Sequence, residues 1–260
     1  MNKKVVYPAV VVIIVAVSLS FVYLNSTSNS ALDAYIGMRV PQQQVAQLQG
    51  IALNTTLANK VGTGIVTPYP TPITGQNVTM VDGKPAVVYV GAEYCPYCAI
   101  TRWGFIIALM RFGNFSSLHY MLSSATDKFA STPTFTFYNS SYYSSIISFL
   151  PAEIANRTGA PLQSLSQLQN AAAVKYDNGG GVPFIDFGNR SVQVGIPGSI
   201  SPGFLDGNNW AQIISQIQDP NTTISQAVMG QANIFTAQIC EIDNFTPASV
   251  CSQPYVRSIT

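Results

Sequence analysis

Charge is scarce in this chain. Lys, Arg, Asp and Glu together make up 9% of its 260 residues, against about a quarter of an average soluble protein. The balance is also close to zero: 12 basic and 11 acidic residues give a net charge of +1, and two of the basic residues, Lys3 and Lys4, stand at the extreme N-terminus. Phosphate contacts need a basic surplus, so no nucleic-acid partner is expected. Histidine is limited to His119, and there are 4 cysteines. Structural zinc needs two close Cys/Cys or Cys/His pairs, so no metal site is expected, and His119 is read as structural. Disorder is excluded as well, because 47% hydrophobic residues, including 13 Tyr and 13 Phe, can build a core.

One long apolar run is present. Val5 to Leu24 carries no charge, and as a helix it would span about 30 Å, the thickness of a bilayer core. Lys3 and Lys4 then stay on the cytoplasmic side. The expected topology is a single-pass cell-membrane protein with everything after Leu24 outside; the alternative is a signal segment cut near Ser30 and a secreted product. Asn-x-Ser/Thr sequons begin at Asn25, Asn54, Asn77, Asn114, Asn139, Asn156, Asn189, Asn221 and Asn244. Chance would give roughly 3 matches for this content of Asn, Ser and Thr. The excess favours a glycosylated ectodomain.

Residues 25–75 read as a tether, a helix opened by Pro41 and ended by Gly62, and an extended loop with Pro68, Pro70 and Pro72. Residues 76–260 form the main domain, with an insertion at about 123–178 and a C-terminal extension from about 221. Asp82-Gly83 marks a hairpin into the apolar run Ala86 to Val90, as a buried central strand would read. A helix follows Cys95 and is stopped by Gly113. Ser117 to Leu122 is a strand, and Thr134 to Tyr138 and Ile146 to Leu150 form a further pair. Leu162 to Val174 is a helix. Val182 to Phe187 and Ser191 to Val194 flank a Gly188-Asn189 turn. Asn209 to Gln218 and Thr223 to Ile242 are helices.

The chemistry concentrates at Cys95-Pro96-Tyr97-Cys98, between the buried strand and its helix. A thiol at a helix N-terminus meets the partial positive charge of unpaired N–H groups, which stabilises its thiolate. Cys95 is therefore the expected attacking thiol, and Cys98, one turn deeper, the thiol that resolves a mixed disulfide by forming Cys95–Cys98. A structural Cys95–Cys98 staple is the alternative, although so short a loop constrains little chain entropy. Cys240 ends an apolar helical run and Cys251 follows a turn, so a Cys240–Cys251 disulfide is expected to pin the tail; a redox relay with the first pair is the alternative. Trp103 and Phe105 are read as core, and Arg102 as an exposed helical arginine. Gly179-Gly180-Gly181 lacks the lysine and helix of a phosphate loop.

The segment AVVYVGAEYCPYC resembles the strand-to-active-site segment of thioredoxin-fold proteins, with Ala92-Glu93-Tyr94-Cys95 in the characteristic order. The run Gly181-Val182-Pro183-Phe184 is similar to the superfamily's second landmark, a strand opened by a cis-proline beside the redox pair. The resemblance covers about residues 86–113 and 181–218. The stretch between resembles the helical insertion of periplasmic disulfide oxidoreductases. The whole chain is similar to a crenarchaeal membrane-anchored family of unknown function with a thioredoxin-like core.

The resemblance implies an α/β fold: a thioredoxin-like sandwich with a helical insertion and an extra C-terminal helix, behind an N-terminal transmembrane helix. It implies Pro183 as a site residue beside Cys95 and Cys98. One position departs from the pattern: thioredoxins carry a buried acid six residues before the first cysteine, and here that residue is Tyr89, with Glu93 expected to alternate toward the surface. The expected function is an extracytoplasmic thiol–disulfide oxidoreductase acting on cysteines of exported proteins with a redox partner, without an organic cofactor because two sulfurs carry both electrons. The rival is a non-catalytic glycosylated surface protein that uses both cysteine pairs as staples.

Overall fold

A computed structural model of the chain describes residues 31–177 and 180–260. The expected membrane segment, the sequon at Asn25 and Gly179 lie outside the described residues. Among the described residues no helix is long and apolar enough to cross a membrane. Residues 31–36 form a turn of their own, with Tyr35 N donating to Leu32 O at 3.0 Å. Gly37–Thr260 is one compact mixed α/β unit.

The expected helix after Pro41 is two helices, Gln42–Ala52 (α1) and Thr55–Val61 (α2). Asn54 makes the break: its side chain accepts from Leu57 N and caps α2, satisfying a donor that would otherwise be orphaned. A two-residue strand, Thr71–Pro72 (β1), follows. Met80–Val81 (β2) folds back on Lys84–Gly91 (β3) through Asp82 and Gly83, both at positive φ (51° and 73°). Seven of the eight residues of β3 are buried, as a strand with neighbours on both edges and layers on both faces requires. Pro96–Leu109 (α3) leaves the end of β3 and is buried over nearly its whole length.

The next segment departs from the expectation of a helical insertion. Asn114–Leu122 (β4) and Pro133–Tyr143 (β5) form an antiparallel two-stranded sheet of their own. Alternating Thr and aromatic residues from Thr134 to Tyr138 have the strand period. The hairpin is seated on α3: Trp103 Nε1 donates to Pro133 O at 2.9 Å, and Thr134 Oγ1 donates to Ala99 O at 2.9 Å. Trp103 and Phe105 are core residues. β5 thus pairs with β4 and not with the strand after it, Ser148–Glu153 (β6), which runs parallel to β3 with Ala86 opposite Ser148 and Gly91 opposite Glu153. Gln167–Asp177 (α4) starts later than expected because Ser166 and Gln169 cap it reciprocally: Ser166 N donates to Gln169 Oε1 at 2.8 Å and Gln169 N to Ser166 Oγ at 3.3 Å.

Phe184–Phe187 (β7) pairs antiparallel with the other edge of β3, and Ser191–Val194 (β8) pairs antiparallel with β7. The sheet runs β1-β8-β7-β3, and β6 and β2 also pair with β3. Trp210–Ile217 (α5) opens with a complete capping box on Asn209. Thr223–Ile242 (α6) packs on α3 at Gly104, where a Cβ would meet Gln231 Cβ at 2.8 Å. Ala248–Cys251 (α7) and Pro254–Arg257 (α8) end the chain. Arg111, just beyond α3, ties these parts together: it donates to Ala52 O (3.0 Å), Asn233 Oδ1 (2.8 Å) and Thr236 Oγ1 (2.6 Å), and its guanidinium lies 4.7 Å from the Tyr255 ring centroid.

Candidate active site at a strand-to-helix junction

Cys95 is the N-cap of α3, and its Sγ accepts the backbone N–H of Cys98 at 3.1 Å. Pro96 occupies the first helical position, where a missing N–H costs nothing. Both cysteines are free thiols. Their exposure differs little, 4% for Cys95 and 0% for Cys98. Their ionisation differs more. The side-chain hydrogen bond with Cys98 lowers the pKa of Cys95 against the effect of burial, helped by the N–H groups of Cys98 and Tyr97 and by the charge of Arg102. Burial pushes Cys98 well above the ordinary thiol range, and its hydrogen bond with Cys95 acts in the same direction.

Pro183 lies beside the pair. The Val182–Pro183 peptide is cis, and the Cys95 S–H reaches the Val182 carbonyl at 3.7 Å. Ala92, Cys95, Cys98 and Ala155 form one apolar cluster, with Tyr94, Ile154 and Val182 packed on it. Tyr97 projects from the first turn of α3, 42% exposed, edge-on to Phe129 at 6.2 Å.

Two readings of neighbouring residues are corrected. Arg102 is fully buried, not exposed: Nε and Nη2 make a two-pronged ion pair with Glu153 at 2.9 and 2.6 Å, and Nη2 also donates to Ala92 O at 2.8 Å. Glu93 is buried too, at 4% exposure. β3 ends at Gly91, so strand alternation no longer governs position 93, and Glu93 Oε1 instead accepts from Thr136 Oγ1 at 2.7 Å. Burial raises its pKa, partly offset by that bond. Tyr89 is fully buried, and its hydroxyl has no hydrogen-bond partner among the described residues. Glu153 was not a candidate from sequence. Its signal was an acid closing a strand among apolar residues, matched by Arg102 inside an otherwise apolar helix.

The remaining candidates lie elsewhere. Cys240 and Cys251 stand at disulfide-bonding distance, with sulfurs 1.99 Å and Cα atoms 5.6 Å apart. His119, on β4, bridges to Arg39, and burial and that arginine lower its pKa. Among the described residues no cluster of His, Cys, Asp or Glu could hold a metal ion. Asn54, Asn77, Asn114, Asn139, Asn221 and Asn244 are exposed. Asn156 and Asn189 are half-buried and engaged: Asn156 Oδ1 accepts from Thr158 N at 2.9 Å, and Asn189 Nδ2 donates to Asn77 O at 3.3 Å. No curated protein and no solved structure matches the chain. A family model does match in part: residues 71–177, from β1 through α4 and including Cys95, Cys98, Arg102 and Glu153, fit a family described as Domain of unknown function (DUF929).

Proposed function

We propose that this chain is an extracytoplasmic thiol–disulfide oxidoreductase, tethered by its N-terminal apolar run, with Cys95 as nucleophile and Cys98 as resolving thiol. The observation that carries the reading is the inequality of two adjacent thiols. Cys95 caps a helix, receives N–H hydrogen bonds and has a lowered pKa, while Cys98 is a turn deeper with a raised one. A lowered pKa supplies thiolate for attack at moderate pH. A staple needs no such inequality. The strand order supports a thioredoxin-like core: β3 and β6 are parallel, β7 and β8 continue antiparallel, α3 follows β3, and Pro183 opens β7 beside the thiols. In this reading Val182, placed by its cis bond to Pro183, offers its backbone to a substrate strand, and Tyr97 with Val182 and Ile154 gives the rim an apolar character suited to cysteine segments of exported proteins.

The test is trapping. A Cys98→Ser variant of the full chain, mixed with a disulfide-bonded peptide, should accumulate a mixed disulfide at Cys95, visible as the added mass of one peptide chain. A Cys95→Ser variant should accumulate none. Trapping by Cys95→Ser alone would reverse the two roles. Trapping by neither would favour the second reading, a non-catalytic glycosylated surface protein. The six exposed sequon asparagines and the near-complete burial of both thiols are the observations on that side.

A further inference from the structure

Behind Cys98 lies a polar group that the reading above leaves unused. Arg102 follows Cys98 by one helical turn, so the two side chains share a face of α3, and helix side chains lean toward the N-terminus, here toward the cysteine. The guanidinium is fixed from two sides, by both oxygens of Glu153 and by the carbonyl of Ala92, which itself packs on both cysteines. Its Nη1 is buried without a partner among the described residues. The Tyr89 hydroxyl, also buried without a partner, lies over Gly91, where a Cβ would collide with it. The Arg102 Cζ is 5.9 Å from the Tyr89 ring centroid. Buried donors without acceptors are rare in folded proteins and call for an explanation.

We infer that the unspent donors of Arg102 and Tyr89 turn to the Cys98 sulfur and stabilise it as it becomes anionic, and that Glu153 is the positioning residue that holds Arg102 for this. The inference rests on the oxidoreductase reading and supplies what the position of Tyr89 lacks, a group that makes Cys98 reactive without a buried acid. At rest, Glu153 balances Arg102 and Cys98 stays a thiol. Once Cys95 is bonded to a substrate sulfur, its thiolate no longer opposes charge on Cys98. The Cys98 sulfur then attacks the Cys95 sulfur. The Cys95–Cys98 bond forms and the bond from Cys95 to the substrate breaks. The pair is oxidised by two electrons, and the substrate sulfur leaves reduced, taking the proton that Cys98 gives up.

The reduced full-length protein reacted with 5,5′-dithiobis(2-nitrobenzoate) separates the steps. Attack by Cys95 releases one thionitrobenzoate and resolution by Cys98 releases a second. Tyr89→Phe removes a hydroxyl that has no partner, so folding should be unaffected. It should slow the second release by at least about tenfold, the range for a lost hydrogen bond to a charged group, and leave the first unchanged. Arg102→Met/Glu153→Met removes both charges together and should slow the second release more than the first, since Arg102 acts on Cys95 as well, with its melting curve as the check on folding. An unchanged second release in Tyr89→Phe, or equal slowing of both releases, overturns the inference. Absence of the first release in the unmodified protein overturns the oxidoreductase reading instead.

Discussion

Cys95 and Cys98 are separated by the first turn of α3, whereas Cys240 and Cys251 are 11 residues apart, joining the last turn of α6 to α7. Both pairs are buried, so burial alone does not divide them. Loop length and surroundings do. A bridge across 11 residues removes real freedom from the unfolded chain, whereas one across three removes little. The first pair is surrounded by hydrogen-bond donors and by the charges of Arg102 and Glu153, which act on both its sulfurs or on the deeper one. The second lies between helices in the C-terminal region, with Cys240 and Cys251 both fully buried. In the proposed function the first pair supplies a reactive sulfur, whereas the second joins α6 to the tail.

The largest effect expected in testing this contrast is a background common to both pairs. Asp186, on β7 three residues after Pro183, is raised from 3.8 to about 6 by burial, against the Asn189 N–H and Lys175. A carboxyl raised in the folded state favours folding while protonated, so stability should fall as pH rises from about 4 to above 6. A shift of two units corresponds to about 3 kcal/mol. Urea unfolding at a series of pH values measures it, and Asp186→Asn, which keeps the oxygen bonded to Asn189 N, should make the profile shallower, with Asp243, also raised to about 6 by burial, keeping part of the slope. An unchanged profile in that variant would place the dependence elsewhere.

Next in size is the bridge. Cys240→Ser/Cys251→Ser should lower unfolding free energy by about 2–3 kcal/mol in the chain-entropy model, while the alkylation rate of Cys95 stays the same. Kept stability with lost turnover would turn the second pair into a relay partner of the first. The smallest effect expected is selectivity within the first pair. At neutral pH, iodoacetamide should label Cys95 at least about tenfold faster than Cys98, because thiolate fraction favours it. Mass spectrometry of the two labelled sites decides this, and equal rates would erase the inequality on which the proposed chemistry stands.

Local signals were legible in the sequence. Asp82-Gly83 and Gly188-Asn189 gave their turns, Thr223 to Ile242 gave its helix, and the placement of Cys95 between strand and helix followed from the apolar run before it. What is not legible locally depends on long-range contacts. Nothing near Thr134 says that β5 will pair with β4 and leave β6 to β3, since that choice depends on which edges are free after folding. Arg102 read as exposed because a charged side chain on a helix normally is; its burial needed Glu153, 51 residues away. Glu93 is buried because its strand ends at Gly91, so alternation does not extend to it.

The place of β3 in the sheet sets a limit on how the molecule can be divided. The family match ends at Asp177, before β7 and β8. A fragment cut there would keep both cysteines of the first pair, together with Arg102 and Glu153. It would lose Pro183 and expose the edge of β3 that β7 covers, a row of unpaired N–H and C=O groups along an apolar strand. Such an edge invites pairing with a second chain. The fragment should therefore self-associate through the edge that β7 covers in the intact chain, and the segment most recognisable by sequence is not one that can be transplanted alone.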